Sequence, residues 1–183
     1  MGAVPLVFTA EQMVNHFLNE GDPTPDELET ALSRLGRNSG PALLVDLMAE
    51  GLLTADTAAA CVPSAWCGCE WPNRTLDDDL WRRLFDLAGY TVEGVPAERP
   101  MGALRLYRGA LPAHRRGWSW TDDRELAQWF GGRPHNGGSG MVWTASVTPG
   151  RLLARISRER EGESEHVVDA RGLRVVAAQR RSC

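Results

Sequence analysis

The apolar pattern of the chain changes near its midpoint, and this change constrains the fold more than any other feature. Before Pro96 the apolar residues recur at helical spacing. After Pro100 they form short strand-like runs that glycines interrupt. Helices followed by a strand-rich half predict an α+β fold rather than alternating α/β units. We expect a helical portion over residues 1–98 and a strand-rich core over residues 99–183, joined as one integrated domain.

Four helices are expected in the first half, and their predicted starts are Thr9, Thr24, the stretch near Leu43, and Thr75. Thr24 carries the strongest signal, because Pro25 takes the first helical position and Glu27 follows three residues after the cap. Glycines suited to ending helices follow at Gly36, Gly51 and Gly89.

The second half is expected to contain six strands, over residues 104–108, 117–121, 141–147, 152–156, 163–169 and 173–178. One helix is expected among them, over residues 122–130. Thr121 stands immediately before this helix and is its predicted N-cap.

Composition narrows the class of protein. The chain has 183 residues, of which 43% are hydrophobic and 24% charged, as in folded globular proteins. A net charge of −4 argues against a dedicated nucleic-acid binder. There is no secretory signal and no apolar run of membrane-spanning length, so a cytoplasmic protein without membrane contact is expected. Three cysteines, Cys61, Cys67 and Cys69, lack the usual zinc-site spacing, and no metal is expected.

Arg108 is the first candidate functional residue. Strand alternation places Leu104, Leu106 and Arg108 on one face, which is apolar until its last member. An unpaired buried charge costs several kcal/mol, so this arginine needs an anion or a carboxylate. The pattern leaves open whether that partner is a ligand or a structural acidic residue.

Two further predicted strands also carry polar groups. Ser119 and Thr121 share a face, opposite two tryptophans. Glu163 and Glu165 share a face about 6–7 Å apart along their strand. Solvated glutamates on an edge strand are the alternative interpretation of this last pair.

Taken together, the order Arg108, Ser119-x-Thr121, Glu163-x-Glu165 resembles the arginine–serine–glutamate class of ADP-ribosyltransferases, over about residues 103–178. The blocks Leu106-Tyr107-Arg108-Gly109, Ser119-Trp120-Thr121 and Glu163-Ser164-Glu165 resemble uncharacterised members of this fold from actinobacteria and their phages more closely. The resemblance implies a split β-sheet core with an N-terminal helical portion. It also implies that the chain binds NAD⁺ and moves its ADP-ribose to a macromolecular acceptor, with release of nicotinamide.

The resemblance assigns three catalytic residues. Glu165 would hydrogen-bond the ribose 2′-hydroxyl and stabilise the developing oxocarbenium ion, Ser119 would hold Glu165 and the ribose in register, and Glu163 would orient the incoming nucleophile. The acceptor is unidentified. A protein is expected rather than a nucleic acid, and arginine is one candidate side chain.

The resemblance also assigns the NAD⁺-binding residues. Phe130-Gly131-Gly132-Arg133-Pro134 is similar to the family's phosphate–nicotinamide loop. Arg108 would bind the diphosphate and Arg133 would add a second phosphate contact, with Ser119, Phe130 and Gly109 also at the NAD⁺ site. No metal is required.

Two other functions remain open at this point. A glycohydrolase would use water as the acceptor and would not need Glu163. A non-enzymatic binding or inhibitor protein on a degenerate transferase fold would not turn over NAD⁺ and would tolerate Glu165→Gln.

Overall fold

The structure is a computed structural model that describes residues 9–133, 140–158 and 163–179, with the backbone alone at Arg158 and Glu163. The chain divides into two compact units, Met1–Ala97 and Glu98–Cys183. The first is built mainly from helices and the second mainly from strands. The fold is therefore mixed α+β, as the change in apolar pattern predicts.

The described part of the N-terminal unit contains six helices, α1 Ala10–Glu20, α2 Pro25–Leu35, α3 Gly40–Ala49, α4 Ala55–Gly68, α5 Pro72–Thr75 and α6 Asp78–Ala88. A hairpin follows, in which β1 Thr91–Val92 pairs antiparallel with β2 Val95–Pro96. Its two turn residues, Glu93 and Gly94, have φ values of 54° and 74°. Two positive φ angles are typical of the type I′ turn that joins tightly paired strands.

The predicted starts of the first two helices are confirmed. Thr9 caps α1 by accepting from the backbone N–H of Gln12. Thr24 and Glu27 form a complete capping box at the start of α2. The prediction of Thr75 as a helix start is wrong. Asp77 is the N-cap of α6, since its carboxylate accepts from Leu80 N at 2.8 Å.

The apolar pattern of the sequence did not predict α4. Most of the circumference of this helix is buried. Its buried residues include Ala58, Cys61, Val62 and Trp66. A helix that is apolar nearly all round shows little amphipathic periodicity. Pro63 inside it further obscured the helical pattern.

The core of the N-terminal unit contains an aromatic cluster. The Trp66 and Trp81 ring centroids lie 5.0 Å apart in an edge-to-face arrangement, and Phe85 lies 5.9 Å from Trp66. All three side chains are almost fully buried. Aromatic pairs of this geometry stabilise a core beyond the area they bury.

The described part of the C-terminal unit contains one α-helix and six strands, β3 Leu104–Ala110, β4 Ser119–Trp120, α7 Arg124–Gly132, β5 Met141–Val147, β6 Leu152–Arg158, β7 Glu163–Val168 and β8 Val176–Ala177. Within this unit the strands pair antiparallel in the orders β6-β7-β4 and β3-β5-β8. Tyr107 in β3 and Thr121 after β4 form a single bridge, with reciprocal backbone hydrogen bonds of 2.7 and 2.9 Å.

Some boundaries in this unit differ from the prediction. The strands expected over 117–121 and 173–178 shorten to two residues each, whereas β5 has its predicted bounds. The helix expected from 122 begins at Arg124, and its N-cap is Asp123 rather than Thr121. Because the backbone of Thr121 is hydrogen-bonded to Tyr107, the helix begins two residues later than predicted. No helix in the described ranges combines the length and apolarity needed to cross a bilayer.

Candidate active site

A cavity of about 200 Å³ lies in the C-terminal unit, beside the bridge between Tyr107 and Thr121. Its lining comes from β3, β4, β7 and α7. Arg108, Ser119 and Glu165 are among the lining residues, although they lie on three different strands. The fold therefore gathers into one cleft three residues that the sequence analysis singled out separately.

The Arg108 guanidinium is held by two backbone carbonyls. Its Nε donates to His114 O at 3.1 Å and its Nη1 donates to Ser119 O at 2.6 Å. Burial lowers the pKa of Arg108 to about 10, and attraction to the Glu165 carboxylate opposes this lowering. Arg108 is thus a partly buried cation that still carries its charge at neutral pH.

The pairing of β4 with β7 sets the relation between Ser119 and Glu165. Ser119 is opposite Val167 and Trp120 is opposite His166. Glu165 is two residues from Val167, so it lies on the same face as Ser119 as a diagonal neighbour. Both residues are partly exposed in the cleft.

The tryptophans on either side of Ser119 are buried on the face of the strand away from Ser119. Trp118 and Trp120 are 1% and 2% exposed, and Trp120 Nε1 donates to Gly117 O at 2.8 Å. Since alternate residues of a strand point to opposite faces, burial of the two rings directs Ser119 and Thr121 to the other face. The alternation expected from sequence thus holds around Ser119.

Gly109 allows α7 to lie directly on β3. A Cβ atom at this position would stand 1.9 Å from Ala127 O and 2.4 Å from Gly131 N. No side chain fits there. Gly109 also lines the cleft, as do Leu126 and Phe130 of α7. The close approach of helix and strand therefore forms one wall of the cavity.

Arg133 lies in a second, shallow depression that Glu125, Gln128 and Trp129 also line. Its guanidinium carbon sits 3.6 Å from the centre of the Trp129 ring and 4.8 Å from that of Phe130. This is a close cation–π contact. The structure thus brings Phe130, but not Arg133, to the cleft lining, and Pro134 lies outside the described residues.

Glu163 opens β7 and pairs with Arg158 of β6. It stands two positions before Glu165, so the backbone places both on one face of the strand. Its side chain is outside the described part of the structure, as are residues 159–162 before it.

Ser164 and Gly117 also belong to the site, although neither was predicted from the sequence. Ser164 lines the cavity, and its buried Oγ has no hydrogen-bond partner among the described atoms. Gly117 lies against the Arg108 guanidinium. Neither has a sequence signal of its own, because a serine between two glutamates and a glycine before a strand are common patterns.

His166 lies on the opposite face of β7 from Glu165 and is 3% exposed. Its Nε2 is 3.6 Å from an Asp122 carboxylate oxygen. Burial lowers the pKa of His166, and Asp122 opposes the shift. The imidazole is therefore neutral at pH 7.

No group of three or more histidine, cysteine or acidic side chains suited to a metal ion occurs within residues 9–133, 140–158 and 163–179. Cys61 and Cys69 are buried, and their Sγ atoms lie 3.7 and 3.1 Å from the carbonyls of Pro25 and Arg37. Burial raises the pKa of Cys61 to about 12. The Cys61 thiol therefore stays protonated and unreactive at neutral pH.

Comparisons with protein-family models, with curated proteins and with solved structures found no match to the chain.

Proposed function

We propose that this protein is a mono-ADP-ribosyltransferase, which moves ADP-ribose from NAD⁺ to a macromolecular acceptor and releases nicotinamide. One observation carries the proposal. Arg108, Ser119 and Glu165, the residues that the family resemblance selects in sequence order, line a single cleft.

Glu165 supplies the main catalytic effect in this proposal. Breaking the bond between nicotinamide and ribose builds positive charge on the sugar, as in glycoside hydrolysis, and a fixed carboxylate stabilises that charge. Glu165 lines the cleft close enough to Arg108 to attract its guanidinium. It would accept a hydrogen bond from the ribose 2′-hydroxyl and counter the oxocarbenium charge.

Arg108 binds the diphosphate. A partly buried guanidinium gains from an anionic ligand, and its planar fork matches phosphate oxygens. The pKa of about 10 leaves Arg108 protonated at neutral pH. Because its Nε and Nη1 are already held by backbone carbonyls, the guanidinium is fixed before the ligand arrives.

The remaining cleft residues suit the nicotinamide end of the ligand. The cavity of about 200 Å³ is below the roughly 300–1,000 Å³ of complete small-molecule sites, and it suits a ring and its sugar rather than a whole dinucleotide. Tyr107 and Phe130 offer aromatic groups in the lining. Ser119, on the same face as Glu165, would hold the ribose and the carboxylate in register.

Glu163 and Arg133 have secondary roles in the proposal. Glu163 would orient the acceptor and accept its proton late in the reaction, which suits a guanidinium that arrives protonated. Arg133 would add a phosphate contact, for which it has to leave the Trp129 ring.

Incubation with NAD⁺ labelled in the adenylate portion, with and without cell lysate, tests the proposal. Label on a macromolecule is the expected result. Free labelled ADP-ribose alone would identify a glycohydrolase instead, and intact NAD⁺ under all conditions would reject enzymatic activity. Glu98→Gln is a suitable control for side-chain charge, because Glu98 is exposed and is not among the residues that line the cleft.

A further inference from the structure

Gly117 lies behind the Arg108 guanidinium, and its backbone is held from two sides. Its N–H donates to His114 O at 3.1 Å, the same carbonyl that accepts from Arg108 Nε. Its own carbonyl accepts from Trp120 Nε1 at 2.8 Å. Since Trp120 is 2% exposed, the Gly117 peptide cannot shift without disturbing a buried ring.

A side chain at position 117 would occupy the place of the guanidinium. A Cβ built on Gly117 would lie 2.3 Å from Arg108 Nη2, 2.6 Å from Cζ and 3.0 Å from Nε. The tip of an arginine usually moves away from such a contact at little cost. Here two hydrogen bonds to carbonyls hold it, and both would break if it moved.

We propose that Gly117 is a positioning residue that fixes the Arg108 cation in the cleft, and through it the diphosphate subsite for NAD⁺. The second part of this inference rests on the proposed function. The absence of a side chain at 117 lets the guanidinium bond to His114 and Ser119. Any larger residue displaces the cation from the position where the phosphates of the ligand meet it.

A double-mutant cycle on the ligand-free protein tests the contact itself. The variants are Gly117→Ala, Arg108→Ala and the double mutant, with Gly150→Ala as control because a Cβ there meets nothing within 4 Å. Gly117→Ala is expected to lower the melting temperature in the wild-type background and much less once Arg108 is alanine. Equal losses in both backgrounds would overturn the inference. If Gly117→Ala alone does not fold, recovery of folding in the double mutant supports it.

The same four variants, titrated with NAD⁺ by calorimetry, test the consequence for binding. Gly117→Ala is expected to weaken NAD⁺ binding roughly 10- to 100-fold, the usual loss for a charge-assisted hydrogen bond. The double mutant should bind no more weakly than Arg108→Ala. Additive losses would reject the role of Gly117 in positioning. No binding to the wild type, together with coupling in the melting cycle, would reject NAD⁺ as the ligand while retaining the contact between Gly117 and Arg108.

Discussion

The helix ends of the N-terminal unit and the cleft of the C-terminal unit differ in how far along the sequence their polar groups find partners. In the N-terminal unit the helix caps join residues three apart, as Thr24 joins Glu27 and Asp77 joins Leu80. In the C-terminal unit Arg108 bonds to a carbonyl 11 residues away, and Thr144 Oγ1 donates to Leu106 O, 38 residues away. The helix ends of the first unit therefore follow local signals, although longer-range bonds such as Thr57 Oγ1 to Pro23 O join its helices. The cleft of the second unit depends on contacts between strands.

This difference indicates where a binding site can form. Hydrogen bonds between neighbours satisfy helix ends but bring no distant side chains together. Bonds between separate strands gather Arg108, Ser119 and Glu165 in one cleft, where burial lowers the pKa of the cation. Perturbed charged groups in a cleft are a physical reason to place function there.

The largest expected effect is on the free energy of unfolding, and it distinguishes a glycine in the C-terminal unit from one in the N-terminal unit. Gly109→Ala should lower the free energy of unfolding by more than about 3 kcal/mol or prevent folding, because its Cβ would overlap the backbone of α7. Gly68→Ala should be neutral or stabilise by up to about 1 kcal/mol, since Gly68 is exposed at the end of α4 with nothing within 4 Å. Urea denaturation of both variants measures the difference. Similar small effects would contradict the close packing of α7 on β3.

A moderate effect tests the local organisation of the N-terminal unit. Asp77→Ala should lower the free energy of unfolding by about 1 kcal/mol, because it removes the cap of α6. Thr75→Ala, at the helix start that the sequence pattern indicated, should lower it by less, because the Thr75 hydroxyl caps no helix start and donates to Trp71 O at 3.2 Å. Thermal denaturation of the two variants compares them, and a larger loss in Thr75→Ala would show that the cap is misassigned.

The smallest expected effect is on the pH dependence of the free energy of unfolding, and it involves His166 at acidic pH. Because burial lowers its pKa in the folded state, the unfolded chain binds more protons below its ordinary value of 6.5. The free energy of unfolding should therefore fall as the pH drops through 6.5, and His166→Gln should flatten this dependence. His114→Gln, with an exposed imidazole, is the control. An unchanged pH profile in His166→Gln would show that His166 does not govern it.

Much of the fold follows from local sequence signals, but the cleft does not. Capping at Thr24 and the apolar alternation of β5 give element bounds close to those observed. Alternation also gives the faces of Arg108 and Ser119. It does not tell which strands pair, so the shared cleft depends on the register of β4 with β7.

The contacts of the glycines near the site are also not evident from the local sequence. Gly109 and Gly117 matter through contacts with backbone or side chains brought close by folding. Their sequence neighbours carry no sign of those contacts. The start of α7 was missed for a related reason, since the bridge between Tyr107 and Thr121 delays it.

Nicotinamide release from NAD⁺ by the wild type, Glu165→Gln and Glu98→Gln tests the central claim most directly. Glu165→Gln should lower kcat by about 10²–10³-fold while NAD⁺ binding changes little, because the carboxylate acts on the charge that develops in the transition state. Glu98→Gln should match the wild type. Full activity in Glu165→Gln, or no nicotinamide release by folded wild-type protein with and without lysate, would contradict the account.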